Sequence, residues 1–175
     1  MYESENGTLG FDYFEEAILD AAKNWADHTN IIFDRSTEPY YVEFMFGFRN
    51  DSNICKHVIG YNEDWVSISC QDNYIYYVFL NDNVTWTYYT QQNIRSNDTG
   101  HDIVFHLMKQ IGFSLIQAKS TVDEKPNCIL SSLFDSFTDK YGNRTLPYPC
   151  RRDIRAIQEI FGPRNDYVKY EYSKK

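Results

Sequence analysis

The sequence predicts one α+β domain, built from three helices and a sheet. Two observations carry this prediction. Apolar residues recur at helical spacing in three separated segments, and between the first two of these the chain alternates apolar, often aromatic residues with polar ones. The length of 175 residues fits a single domain over 1–175, with its core in about 10–164 and a polar tail over 165–175.

The first helical segment lies within residues 11–30 and repeats apolar residues on one face: Phe14, Ala17, Ile18, Ala21 and Trp25. The apolar triplet 31–33 and the alternating segment 40–48 follow it as strand candidates. Shorter runs at 57–61 and 65–69 come next, and the strongly aromatic segment 74–81 reads as a further strand.

The second helical segment, 99–112, has an apolar stripe formed by Ile103, Val104, Leu107, Met108 and Ile111. Phe105 and Lys109 fall opposite this stripe, and Gly112 is expected to end the helix. A loop-rich stretch leads to a third helix over about 151–161. There Ile154, Ile157 and Ile160 are expected to face inward, and Gly162 with Pro163 to end the helix.

Composition excludes two classes of partner. Acidic residues number 25 against 17 Lys and Arg, and the resulting net charge of -8 disfavours nucleic acid. No apolar run approaches the roughly 18 residues that a membrane span needs, so no membrane span is predicted. The segment after Met1 has neither a basic start nor an apolar stretch, and we expect any signal peptide to have been removed.

Cysteines and glycosylation sequons point to the secretory pathway. The four cysteines, Cys55, Cys70, Cys128 and Cys150, allow three disulfide connectivities, of which the sequential one is the simplest, while four buried thiols are the cytosolic alternative. The sequon Asn-x-Ser/Thr occurs at Asn6, Asn50, Asn83, Asn97 and Asn143. Together with an even cysteine count, these sequons predict a secreted, disulfide-bonded glycoprotein in an oxidising compartment.

Five segments, in chain order, resemble the matrix metalloproteinase (matrixin) catalytic domain of the metzincin clan. They are 14–33 (opening helix and first strand), 79–86 (an acidic strand end before a Trp), 103–115 (active-site helix and glycine turn), 127–134 (Met-turn) and 151–163 (closing helix). The resemblance implies a metzincin-like, twisted mixed sheet of about five strands with three helices. It also implies that Cys128 pairs with Cys150, because the Met-turn lies near the closing helix in this family, and that Cys55 pairs with Cys70.

The same resemblance implies that the catalytic zinc ligands are lost. A zincin helix needs two His one turn apart, a Glu that activates water, and a third His beyond a glycine turn. With the register set by Gly112, these positions hold Phe105 and Lys109 for the helical His pair, His106 for the Glu, and Leu115 for the third His. Leu130 occupies the position of the Met-turn methionine.

No replacement metal site emerges from the remaining histidines, which are His28, His57, His101 and His106. His101 and His106 lie five apart, about 140° around a helix, so they cannot chelate one ion from that helix alone. Of these, only His57 lies between Cys55 and Cys70, where the resemblance implies that structural metal ligands would cluster, and a disulfide there could take the metal's place.

We therefore predict no catalytic residues, no metal and no cofactor. The expected function is that of a secreted pseudoprotease that binds an extracellular protein ligand or cell-surface receptor, as a decoy, an immune modulator, an adhesion protein or a protease regulator. Exposed members of the aromatic clusters are candidate binding anchors: Tyr40–Tyr41, Tyr74–Tyr76–Tyr77, Trp86–Tyr88–Tyr89 and Tyr167–Tyr170–Tyr172. Two alternatives stay open, an active hydrolase with a non-standard site and a structural coat glycoprotein.

Overall fold

The computed structural model describes residues 10–36, 42–49, 55, 65–94, 100–116, 128–131, 138–139, 141 and 143–165. Within them lie three helices, α1 (Phe11–Ala26), α2 (Ile103–Ile116) and α3 (Arg151–Phe161). The strands are β1 (Phe44–Arg49), β2 (Ser67–Asp72), β3 (Ile75–Asn81), β4 (Trp86–Thr87) and β5 (His101–Asp102). None of these helices is long and apolar enough to cross a membrane. The α+β class with three helices is confirmed.

The strands of the described residues form two sheets, so the expectation of a single sheet of about five strands is wrong for this part of the chain. A mixed sheet has the order β1-β3-β2, with β1 parallel and β2 antiparallel to β3, and β4 pairs in parallel with β5. The chain turns away from the first sheet after β3, because Val84 N–H and the Trp86 indole N–H both donate to the carbonyl of Asn81.

The triplet 31–33 was expected as a strand and forms none. Ile31 and Phe33 pack half-buried against the core, so their apolar character reflects side-chain contact without sheet pairing. The chain just before them is held by the end of α3, since Thr29 bridges to Pro163 and Asn30 N–H donates to the Gly162 carbonyl. The run 57–61 lies outside the described residues.

Helix α2 lies at the centre of the fold and packs against α1, β2 and α3. The buried stripe of α1 faces it, and the Trp25 indole N–H of α1 donates to the Met108 carbonyl at 3.0 Å. Because neighbours surround α2, Phe105 is only 1% exposed, and the expectation that it lies away from the buried stripe is wrong.

Gly112 does not end α2, which continues for four residues to Ile116. A Cβ at this position would lie 2.6 Å from Leu130 Cδ2 and 2.7 Å from Trp25 Cζ2. The glycine is therefore needed for the close approach of α2 to Trp25 and Leu130, and not for a turn.

Helix α3 has the bounds predicted from the sequence. Ile157 is fully buried and Ile154 is half-buried, as expected for an inward stripe. Ile160 is 55% exposed, so its predicted inward orientation is wrong.

A two-residue turn joins β2 to β3. Asn73 has φ 48° and Tyr74 has φ 72°, so both residues adopt the left-handed conformation that a tight hairpin requires. Asparagine tolerates this conformation, whereas a bulky aromatic residue at such a φ is unusual and strained.

We expect Tyr74→Gly to raise the free energy of unfolding by about 0.5–1 kcal/mol, because glycine removes the left-handed strain and loses part of that gain to greater freedom in the unfolded chain. Tyr74→Ala is the matched control, since alanine keeps the strain and should leave stability near that of the parent. Urea unfolding measures both, and a Tyr74→Gly variant less stable than Tyr74→Ala would contradict the expectation.

Candidate functional site

The positions that the resemblance assigns to zinc ligands lie on or beside α2, and the structure fills them with packed side chains. Phe105 is buried, and the Lys109 Nζ lies 5.6 Å from the centre of its ring. Leu115 packs half-buried against the core, and Leu130 is fully buried at the point where α2 passes Gly112. Phenyl, ammonium and aliphatic groups therefore occupy the three assigned positions, and because α2 continues to Ile116, Leu115 lies about 15 Å along the helix from Phe105.

His106, which the resemblance assigns to the position of the catalytic glutamate, belongs to a hydrogen-bond network between α2 and β2. Its Nδ1 lies 2.9 Å from the Ser67 Oγ. Gln110, one turn further along α2, donates from Nε2 to the same Oγ at 3.0 Å and to the Ser67 carbonyl at 3.2 Å. The network attaches the middle of α2 to the first residue of β2.

His101 and His106 are brought together, against the expectation based on helical spacing. His101 lies in β5, before α2 begins, so the 100° rotation per helical residue does not apply to it. The two imidazole rings are 5.5 Å apart, and the Trp86 ring lies 5.8 Å from His101 and 5.2 Å from His106. The three rings form a cluster at the start of α2, which we call the His–Trp cluster.

Within the part of the chain that the structure describes, no third potential ligand joins this pair of imidazoles. Among the described residues, the one group of three potential ligands consists of Cys128, Cys150 and Asp153. Both thiols of that group are consumed by a disulfide, so it offers only a carboxylate to an ion. His57 lies outside the described residues.

Asp102 immediately precedes α2 and caps it. Its Oδ1 accepts the Phe105 backbone N–H at 3.1 Å, which satisfies one of the free donors of the first turn. Burial raises the pKa of the Asp102 carboxyl from 3.8 to about 6, although the Phe105 N–H and the charge of Arg144 oppose the rise. Arg144 is held nearby, since its guanidinium donates to the Gly100 carbonyl and lies 4.3 Å from the centre of the Tyr89 ring.

Burial lowers the pKa of His106 from 6.5 to about 3, and the charges of His101 and Lys109 act in the same direction. Asp102 and His106 thus have opposite effects on acid stability. Between pH 6.5 and 3 the unfolded chain binds a proton at His106 that the folded chain does not, so stability falls with falling pH. Between pH 6 and 3.8 the folded chain binds the proton at Asp102, so stability rises with falling pH.

We expect the two effects, each about 1.4 kcal/mol per pH unit, to oppose each other between pH 6 and 4. When the pH falls from 6 to 4, the stability of His106→Gln relative to the parent chain should rise by about 2 kcal/mol. The stability of Asp102→Asn relative to the parent chain should fall by a similar amount. Both replacements keep a hydrogen-bonding side chain, and asparagine remains a good helix cap. Urea unfolding of the three proteins at both pH values measures the effect, and three parallel pH profiles would contradict it.

Two disulfides stabilise the regions on either side of this site. Cys55 pairs with Cys70 and Cys128 with Cys150, which is the sequential pairing that the resemblance implied. Cys70 in β2 places the first bond in a small buried cluster with Ile68 and Phe79. The second bond joins the segment that carries Leu130 to the start of α3.

Asp153 joins the same two segments by hydrogen bonds. Its carboxylate is fully buried and accepts the backbone N–H groups of Ile129 at 2.8 Å, Leu130 at 3.2 Å and Cys150 at 2.9 Å. Burial raises the pKa of this carboxyl, and the three N–H donors oppose the rise. Sequence reasoning missed this residue, because a single Asp in the first turn of a helix usually indicates only a favourable interaction with the helix dipole.

Two of the five predicted glycosylation positions lie within the described residues. Asn83 follows β3 and Asn143 lies in the loop before α3, and both are exposed, as an attached glycan requires. Asn6, Asn50 and Asn97 lie outside the described residues. Occupancy of the five sequons stays a prediction.

Comparison with protein-family models and with curated proteins gives no match to this chain. The resemblance to matrixins therefore stays a hypothesis that depends on the quoted segments of the sequence.

Proposed function

We propose that this chain is a secreted, glycosylated, matrixin-like pseudoprotease that acts as a protein-binding module. The observation that carries the proposal is the replacement of all three zinc-ligand positions by Phe105, Lys109 and Leu115, with Phe105 buried. A fold that has lost its catalytic groups keeps its surface, and binding is the function that such a surface supports. The proposed partner is an extracellular protein ligand or a cell-surface receptor.

The chemistry of these side chains does not fit a zinc ion. Catalytic zinc is held by neutral imidazoles or carboxylates, each of which provides a lone pair. A phenyl ring and an aliphatic chain have none, and the Lys109 ammonium has three N–H donors and a positive charge that repels a cation. No step of a metal-assisted hydrolysis is therefore assigned to this site.

One observation favours the alternative of an active hydrolase. The Ser67 Oγ lies 2.9 Å from the His106 Nδ1, as in a nucleophile and its general base. Against it, a histidine with a pKa of about 3 is too weak a base to activate a hydroxyl near neutral pH. Gln110 also donates to the serine and does not orient the imidazole, so the contacts favour a structural link between α2 and β2.

Secretion is supported by the two disulfides and by the exposed sequons at Asn83 and Asn143. Disulfides persist in oxidising compartments and are rare in the cytosol. An extracellular location in turn limits the proposed partners to extracellular proteins and receptors.

We expect the purified chain to retain less than stoichiometric zinc after dialysis and to leave a generic peptide substrate uncut. Elemental analysis and a fluorogenic peptide assay measure the two, and Ser67→Ala separates the serine alternative. One tightly bound zinc per chain with chelator-sensitive hydrolysis would overturn the pseudoprotease proposal. Hydrolysis that resists a chelator and is lost in Ser67→Ala would establish the rival hydrolase instead.

A reconstitution variant tests the matrixin register directly. Phe105→His, His106→Glu, Lys109→His and Leu115→His together restore the residue types of a zincin site. In the structure α2 continues through Gly112 to Ile116 and separates position 115 from position 105 by about 15 Å along the helix, so the variant should bind one zinc ion only if the chain turns at Gly112 as the register implies. The same variant with Lys109 retained lacks one helical ligand and should not bind zinc, and a folded quadruple variant without zinc would contradict the register. Circular dichroism of both variants ensures that only folded proteins are compared.

A further inference from the structure

An open cleft lies at the tip of the β2–β3 hairpin, beside the start of β1 and separate from the His–Trp cluster. Its volume is about 700 Å³. Its walls include Glu43, Gln71, Asn73, Tyr74 and Tyr76. Residues with two aromatic rings, two amides and a carboxylate thus line one space together with the aliphatic Val42 and Ile75, and a few polar groups in an apolar lining are what orients a ligand.

Strand pairing holds most of these walls in place. Tyr76 in β3 lies opposite Gln71 in β2 and Phe44 in β1, and its ring stacks on Phe44 at 5.3 Å. The Tyr76 N–H donates to the Glu43 carbonyl at 2.7 Å, which fixes the backbone just before β1. A ligand would therefore meet a preformed surface and pay little ordering cost.

Tyr74 is the unusual residue of this cleft. It adopts φ 72° and is 87% exposed, so the fold retains a strained aromatic residue that contributes little to packing. Strain of this kind persists at sites where the residue serves a function. Exposed tyrosine is also a preferred anchor of protein interfaces, because it buries a large area with few rotatable bonds.

The charge of the region selects the partner. Glu43 is exposed on the cleft wall and Asp72 is exposed next to the turn, while no Lys or Arg lines the cleft among the described residues. Tyrosine faces attract cations, and a nearby carboxylate adds to that attraction. Anionic ligands are disfavoured here, and a guanidinium or ammonium group matches both the rings and the carboxylate.

We propose that this cleft binds an Arg or Lys side chain of a protein partner, with Tyr74 and Tyr76 as aromatic anchors and Glu43 as the counter-charge. The inference rests on the proposed function and deepens it, since it names the binding surface and the chemistry of the partner segment.

The probe is the peptide Gly-Arg-Gly-Arg-Gly, with its Glu counterpart and a neutral tri-N-acetylglucosamine as comparisons, titrated against the full chain and followed by NMR shifts and calorimetry. Tyr74→Gly and Glu43→Gln should each weaken binding of the arginine peptide by about five- to tenfold. Tyr141→Ala and Glu159→Gln are matched controls, because they remove an exposed tyrosine and an exposed carboxylate elsewhere and should change affinity less than about twofold.

Tyr74→Gly is diagnostic because it should weaken binding while raising the melting temperature, so lost binding cannot be attributed to unfolding. Equal weakening by Glu43→Gln and Glu159→Gln would assign binding to the overall negative charge and overturn the proposal. Shifts at Tyr74 and Tyr76 with the trisaccharide alone would assign the cleft to glycans and overturn it as well. If the chain holds zinc and hydrolyses peptides, the proposed function itself is contradicted. If the chain is free of zinc and binds the peptides without preference for arginine, only the cleft proposal is contradicted.

Discussion

Asp153→Ala should lower the free energy of unfolding by about 3–5 kcal/mol, the largest effect expected of any single substitution considered for this chain. The carboxylate is fully buried and accepts three backbone N–H groups, from Ile129, Leu130 and Cys150. Alanine would leave all three donors without this acceptor, and each buried donor without a partner costs about 1–3 kcal/mol, with incomplete additivity.

Asp153→Asn provides a graded comparison. The amide oxygen can replace Oδ2, which accepts from Ile129 and Cys150, but the amide nitrogen would then face the Leu130 N–H, donor against donor. We expect an intermediate loss of about 1–3 kcal/mol. Glu159→Ala on the exposed side of the same helix serves as the control and should stay within about 0.5 kcal/mol of the parent.

Equilibrium unfolding in urea, followed by circular dichroism, measures this series. We expect Asp153→Ala to be the most destabilised variant, Asp153→Asn to be intermediate and the control Glu159→Ala to be the least destabilised. A loss for Asp153→Ala no greater than that for Glu159→Ala would mean that the three N–H groups find other partners without cost.

Helices α1 and α3 follow from local patterns in the sequence. The apolar stripe of α1 and the position of α3 depend on spacing and on end signals such as Gly162, which take effect within one element. The strands were less predictable, because the triplet 31–33 is as apolar as a strand and packs on the core without a pairing partner. Sheet pairing depends on which edge is free, and a local pattern does not contain that information.

The arrangement of the site was less predictable still. Ser67 and His106 are 39 residues apart in sequence, and His101 approaches His106 only because β5 precedes the helix. The resemblance assigned Phe105, Lys109 and Leu115 to the zinc-ligand positions from the sequence alone. Their packing could not be predicted in this way, since the burial of Phe105 requires α1, β2 and α3 around α2.

The β2–β3 hairpin contains a conflict between a residue and its backbone conformation that the sequence does not show. The sequence pattern places Tyr74 at the start of an aromatic strand and in an aromatic cluster, but only the backbone angles reveal that Tyr74 occupies a position where glycine is preferred. A conflict between a residue and its local conformation is invisible until the conformation is known, and such conflicts concentrate at functional sites.

Removal of the Cys128–Cys150 disulfide, by Cys128→Ala with Cys150→Ala, should cost about 3 kcal/mol, because the bond closes a loop with a sequence separation of 22 and restricts the unfolded chain. The same change in an Asp153→Ala background should cost less, since both features join the segment of Leu130 to the start of α3 and their contributions are coupled.

At the level of the whole chain, the melting temperature should fall in dithiothreitol and stay constant in EDTA, because disulfides rather than metal ions close these loops. Cys55→Ala with Cys70→Ala is the matched comparison, since its loop separation of 15 implies a similar entropic loss without any contact to Asp153. Coupling to Asp153 should therefore appear for Cys128–Cys150 and be absent for Cys55–Cys70. A large fall in melting temperature with EDTA would mean that a metal ion stabilises this region. Equal coupling to Asp153 for both disulfides would mean that loop length alone determines their contributions.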